Sequence, residues 1–458
     1  GQSAGQYTQA QFATAVGAFA GNSGQASLAV AIGNEAGYSG QLSYAIAIGY
    51  RAGWSAQGGE AVAIGNGAGQ YTQGAAGISL GRFAGQNSQG ISAIAIGNQA
   101  GRSGQISDAI AIGDQAALSG QQNQAIAIGT VAGQISQQQF AIAIGAAAGQ
   151  TLQGTYAIAI GYQAGITNQG SRAIAIGINS GYVTQNENAI AIGGSAGQNV
   201  QGSRAIAIGA NAGNGTQGTE AISIGFTAGS VSQGPQAIAI GLQAGQTLQG
   251  TNAIAIGVTA GQTNQGSAAL SIGFRAGQTG QRLDSIAIGN QAGQSVQGAG
   301  GSGSSIAIGT NAAQNSQGDR AISIGLQSGQ LSQGNDSIAI GYLAGASYQL
   351  GIAIAIGRSA GQNTQGNYTV AIGDSAGSIN QQQYAVAIGA NAGLTNQGQN
   401  AVAIGVGAGQ TNQLSGAIAI GIGAGQTGQR LNAIAIGASA AQSGQGQSGI
   451  AIGDNSGE

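Results

Sequence analysis

Hydrophobic and polar positions repeat along this chain with one period. The string A-I-A-I-G recurs from end to end, and its glycine falls at Gly17, Gly33, Gly49 and onward, every sixteenth residue as far as Gly289. The next step, to Gly309, is longer, and the spacing of 16 then resumes to Gly453. One unit reads Gly145-Ala146-Ala147-Ala148-Gly149-Gln150-Thr151-Leu152-Gln153-Gly154-Thr155-Tyr156-Ala157-Ile158-Ala159-Ile160. No α-helical repeat is this short, since those need roughly 33–47 residues per unit. Several glycines per unit would also weaken a helix by about 1 kcal/mol each. A short β-branched strand between glycine corners predicts one turn of a β-solenoid per repeat. The expected fold is all-β: a single elongated parallel β-solenoid (β-roll or β-helix) over residues 1–458, with 16 residues per coil and about 28 coils. Coils stacked at ~4.8 Å would give a rod roughly 135 Å long.

One extra residue would throw every later side chain out of register with the coil below. An insertion is therefore expected only as a loop at a corner. The Gly/Ser-rich segment Ala299-Gly300-Gly301-Ser302-Gly303-Ser304 is predicted to be that loop.

Side chains alternate along a strand, so the two Ile of each motif share one face and the two Ala the other. The second Ile column departs from Ile only at Val16 and Leu80, and the first is aliphatic except at Thr14. Burial of each large aliphatic side chain contributes ~1.5–3 kcal/mol. Ile46, Ile48, Ile94, Ile96, Ile158, Ile160, Ile254 and Ile256 are therefore the expected core. The Ala columns admit almost nothing larger than Ser, as at Ser79, Ser223, Ser271 and Ser323. Something must pack close against them. The candidates are another chain or another part of the same coil. The first is the expectation here, which makes Ala45, Ala47, Ala93, Ala95, Ala157, Ala159, Ala253 and Ala255 a self-association face.

One column never varies. Gln stands eight residues after each motif glycine, including Gln9, Gln25, Gln41, Gln153, Gln249, Gln333 and Gln445. Identical stacked amides can hydrogen-bond up and down as a ladder, and a structural ladder is the expected role. A second Gln column three residues earlier also admits Trp54, Arg102, Tyr182 and Leu394, as a solvent-facing position would.

Composition narrows the chemistry. Gly accounts for 91 residues, charged residues for 5% and aromatics for 4%; His, Cys and Met are absent, and all 10 basic residues are Arg. Without Cys, His and Lys there is no zinc finger, no Cys or His nucleophile, no His base, no Schiff base and no P-loop lysine. The acids are dispersed, and no regular Asp column exists such as calcium-binding solenoids carry. No cofactor, metal site or catalytic residue is expected, and the chain reads as a non-enzyme. A net charge of -2 offers no basic surface for nucleic acid, and no apolar run is long enough to cross a membrane as a helix. A chain beginning with Gly is expected to be a processed product or a piece of a longer one. Coil ends without polar caps would invite end-to-end stacking.

The A-I-A-I-G strand followed by x-x-A, for instance Ala93-Ile94-Ala95-Ile96-Gly97, resembles the head repeats of YadA-like trimeric autotransporter adhesins. Similar repeats occur in phage and giant-virus fibre proteins. There a motif of the type S-V-A-I-G-x-x-S builds a left-handed parallel β-roll, and three chains pack together. The resemblance covers nearly the whole chain, although this period is longer and carries a Gln-x-x-Gln-Gly segment. It implies a homo-oligomeric, extracellular or virion-surface fibre, with the Ala/Ser face as the chain–chain interface by analogy. Two other readings stand beside a passive fibre. An adhesin would use variable positions such as Tyr50, Tyr71, Tyr162, Phe226 and Phe274 against a host surface or glycan. An ice-binding solenoid would need a regular outward row, commonly Thr.

Overall fold

The computed structural model describes residues 1–301 and 303–457. The protein is an all-β parallel β-solenoid of about 27 turns set 16 residues apart. It comprises two units, Gly1–Ser230 and Val231–Glu458, each a stack of the same coil. Each unit has one wall of fourteen three-residue strands, from Thr14–Val16 to Ile222–Ile224 in the first and from Ile238–Ile240 to Ile450–Ile452 in the second. Pairing is parallel and equivalent residues stack: Ile142 on Ile158, Ala143 on Ala159, Ile144 on Ile160. A second wall is built from two- and three-residue segments that end at the invariant Gln, such as Ile135–Gln137 and Thr151–Gln153, again with Gln137 on Gln153.

The corners come from left-handed backbone. In the coil 145–160, Gly145, Ala147, Gly149, Leu152 and Tyr156 all have positive φ. For the three non-glycine residues this conformation costs about 1–2 kcal/mol each. Hydrogen bonds to the neighbouring coils hold it: Gly145 N to Ile128 O at 2.8 Å, Ala147 N to Thr130 O at 2.9 Å and Tyr156 N to Gln139 O at 3.0 Å. Gly145 is needed for a second reason. A Cβ there would lie 2.5 Å from the carbonyl oxygen of Gly161, so the stacked glycines set how closely successive corners approach.

The interior reverses the sequence expectation. Ala45, Ala47, Ala93, Ala95, Ala157, Ala159, Ala253 and Ala255 are completely buried inside their own coils and form no outward face. The expected core residues Ile46, Ile48, Ile94, Ile96, Ile158, Ile160, Ile254 and Ile256 point outward and remain partly exposed, with Ile256 at 36%. The reason is the width of the coil. Gln153 on the second wall donates from Nε2 to Ile142 O on the first wall at 2.7 Å, so one Gln side chain spans the interior. Methyl groups fit beside it and sec-butyl groups do not. What closes on the Ala strip is the other wall of the same coil. The buried clusters are accordingly runs of Ala, such as Ala84 through Ala175 in the first unit and Ala339 through Ala451 in the second.

The insertion falls between strands Ser295–Gln297 and Ile306–Ile308, and Ser302 lies outside the described residues. Across it Ile286 still pairs with Ile306, so the register survives four extra residues. The loop closes over Asp319, whose Oδ1 accepts from Gly303 N at 3.1 Å. Asp319 is 4% exposed.

Candidate functional site

Three features could carry function: the amide ladder inside, the aliphatic face outside, and local clusters on the corners.

The ladder is structural. Most of the buried Gln donate from Nε2 to two carbonyls and to the Gln of the next coil. For Gln153 these are Ile142 O at 2.7 Å, Ala157 O at 3.3 Å and Gln169 Oε1 at 3.2 Å. The side-chain chain begins at Gln41 and continues through Gln57. In the second unit it includes Gln249 and Gln333, crosses the insertion from Gln297 to Gln317 at 3.0 Å, and reaches Gln445. Two of the expected members stand apart. Gln9 is exposed and bonds only Ala13 O in its own coil, and Gln25 bonds Thr14 O and Ala29 O without reaching Gln41. The rare Ser in the inner Ala column joins the network. Ser79 donates to Gln89 Oε1 at 2.7 Å, and Ser323 to Gln333 Oε1 at 2.6 Å. Gly149 is shaped by the same amide: a Cβ there would sit 2.8 Å from the Gln153 side chain.

The outward face is regular and apolar. In each unit fourteen strands present two aliphatic columns. Three residues at ~3.3 Å by fourteen strands at ~4.8 Å gives about 670 Å² per unit. The largest apolar patch on a typical monomer is roughly 300–600 Å². Ile64, Ile144 and Ile208 each stand 37% exposed, their remaining surface covered by their stacked neighbours.

Charged residues on the corners pair along the stack. Arg51 reaches Glu35 at 2.8 Å, Arg320 reaches Asp336 at 2.6 Å and Arg358 reaches Asp374 at 2.6 Å; Arg172 and Glu187 also pair. Hydrogen bonds from Arg320 and Arg358 hold the carboxyls of Asp336 and Asp374 below the usual carboxylate range. Arg51, Arg320 and Arg358 are held further in their charged form by the same bonds. Among the described residues no group of three or more His, Cys, Asp or Glu stands close enough to hold a metal ion, and no helix is long and apolar enough to cross a membrane.

One corner of the first unit differs from the rest. Tyr38 and Trp54 stack at 5.7 Å, and Trp54 meets Tyr71 edge-on at 5.9 Å. Glu35 Oε2 accepts from both Arg51 Nε and Trp54 Nε1. The sequence marks Trp54, Tyr50 and Tyr71 individually. Their meeting with Arg51 and Phe83 was hidden, because the second, third, sixth and seventh positions of the coil become neighbours only once the corner is folded. The other expected contact residues, Tyr162, Phe226 and Phe274, are exposed in separate coils. Of these, Phe274 carries Arg275 over its ring at 4.9 Å.

No protein-family model matches the chain, and no curated protein shows significant similarity to it.

Proposed function

We propose that this protein is a non-enzymatic structural element: a stiff spacer that associates with copies of itself through the outward Ile columns. The carrying observation is the regular aliphatic face. About 670 Å² in one unit approaches the ~800 Å² per partner of a standard stable interface. Flat β-branched rows with no charge in them suit a second identical surface, since a copy offers the same rise per strand and the same apolar ridges. This replaces the Ala/Ser columns as the association face, because those are inside. A passive fibre outside a cell or on a virion surface agrees with the composition: without Lys, trypsin-like proteases have few sites, and without Met and Cys the most easily oxidised side chains are missing.

Sedimentation analysis of the purified chain tests the reading. Oligomers or bundles are expected at micromolar concentration. They should dissociate when outward Ile of four consecutive coils, Ile142, Ile144, Ile158, Ile160, Ile174, Ile176, Ile190 and Ile192, are changed to Thr with the circular dichroism spectrum preserved. A monomeric wild type, or undiminished assembly of the Thr variant, would refute the proposal.

A further inference from the structure

We infer that the aromatic corner of the first unit is a binding site for an acidic saccharide, a pyranose chain bearing carboxylate or sulfate groups. This goes beyond the spacer role and does not depend on the Ile face. The site is an open cleft of about 420 Å³. Three rings line it, Tyr50, Tyr71 and Phe83, together with three amides, Asn66, Gln70 and Gln86. Its floor is Gly67. The same position in the flanking coils is filled by Arg51 and Phe83, and the Phe83 ring leans over the glycine, so that a Cβ there would meet Phe83 Cδ1 at 2.6 Å. A missing side chain between two large ones makes the hollow.

The chemistry of the lining selects the ligand. Exposed Tyr50 and Tyr71 offer flat apolar faces with polar tips, which suit a ring with an apolar C–H face and polar edges. The amides supply hydroxyl partners. Gln70 is 6% exposed, its Oε1 takes a bond from Gln86 at 2.8 Å, and its Nε2 has no acceptor among the described residues. At the Phe83 end stand two guanidinium groups. Arg82 Cζ lies 5.1 Å and Arg102 Cζ 6.0 Å from the Phe83 ring centre. Arg102 is oriented by Gln86 Oε1 at 3.0 Å and Gln99 Oε1 at 3.3 Å. Neither Arg82 nor Arg102 forms an ion pair among the described residues, whereas Arg51 is neutralised by Glu35. Two uncompensated arginines beside the Phe83 ring and an amide with an unused donor assign an acidic group to that end of the ligand. Nucleic acid is disfavoured because the positive charge is confined to this end of the cleft, on a chain with net charge -2.

Trp54 is the only tryptophan in the chain, so its emission reports on this corner alone. The experiment titrates the full chain with oligogalacturonate, with a neutral cello-oligosaccharide of equal length, and with an oligothymidylate. A saturable change with oligogalacturonate only is expected. The double variant Arg82→Asn, Arg102→Gln should weaken it by about tenfold or more, the scale of one lost charge-assisted hydrogen bond. Both replacements occur at the same coil positions nearby, at Asn66 and Gln86, so the fold is preserved, and thermal melting verifies this. Arg358→Gln, in the other unit, should leave the titration unchanged. No response to oligogalacturonate, an equal response to the neutral oligosaccharide, tighter binding of the oligonucleotide, or an unaffected double variant would each overturn the assignment.

Discussion

Leu152 and Gln153 are adjacent on one wall of one coil, yet Leu152 is 53% exposed and Gln153 is completely buried. The opposite wall repeats the inversion: Ala159 is sealed while Ile158 and Ile160 face out. In most domains the larger apolar residue takes the interior. Here side-chain size decides against it. A coil closed in 16 residues leaves an interior one amide thick. What fills that space best is a methyl on one side and, on the other, a group that can satisfy the carbonyls left by the corners. Buried polar groups cost free energy only when unpaired. The ladder pairs them, so polarity inside is compatible with stability and bulk inside is not.

The sharpest way to break this comparison is to exchange polarity within the dipeptide. Gln153→Leu removes the donor shared by Ile142 O, Ala157 O and Gln169 Oε1. It also removes the acceptor used by Gln137. Each buried group left unpaired costs ~1–3 kcal/mol, so a loss of about 3–6 kcal/mol is expected by denaturant titration. Leu152→Gln on the solvent side should fall within about 0.5 kcal/mol of wild type. Equal effects at the two positions would mean that the amide is not the structural element.

A second exchange sharpens the same point on the other wall. Ala159→Ile places three extra carbons where the Gln side chain already spans the gap, an overpacking worth about 1–3 kcal/mol. Ile158→Ala removes part of an outward ridge that keeps contact with water, and it leaves no enclosed cavity, so it should cost less than about 1.5 kcal/mol. Thermal melts of the two variants at low protein concentration, where association does not contribute, give the ratio directly.

The same asymmetry explains how far the sequence could be read. The period, the parallel register, the loop at 299–304 and the amide ladder all follow from spacing. A repeat of fixed length permits one stacking only, and an invariant Gln between variable neighbours must be held by something. The inside and outside of the strand did not follow. Alternation in Ala157-Ile158-Ala159-Ile160 establishes two faces but not which is enclosed, and hydrophobicity favoured Ile. The missing quantity was the interior width. A sequence clue to it existed: Ala148, Gln153, Ala157 and Ala159 are all confined to single residue types or their smallest substitutes, as enclosed positions would be, while Leu152 and Tyr156 stand at freely varying ones. The aromatic corner was legible only in parts. Trp54 was visible as a departure from its column and Tyr71 as a variable position, but the approach of Arg51, Phe83 and Gly67 needed the fold of the corner.

The smallest expected effect concerns the charged outside. Asp336 and Asp374 have folded-state pKa values lowered by Arg320 and Arg358. A carboxyl whose pKa falls on folding adds stability that is fully present above its unfolded value, about 3.9, and is lost as pH drops through the folded value. Both pairs are exposed, and exposed pairs contribute little and are screened by salt. Between pH 5 and pH 8 the melting temperature should therefore stay flat, since no His titrates there. A slight decline is expected only below about pH 4, reduced by added salt and by Asp336→Asn. The ladder, being neutral amide throughout, has no titratable group to lose. A steep fall in stability near pH 5 would thus locate a dominant share of the folding energy in the charged corners instead of the enclosed amides, and would reverse the ranking of inside over outside.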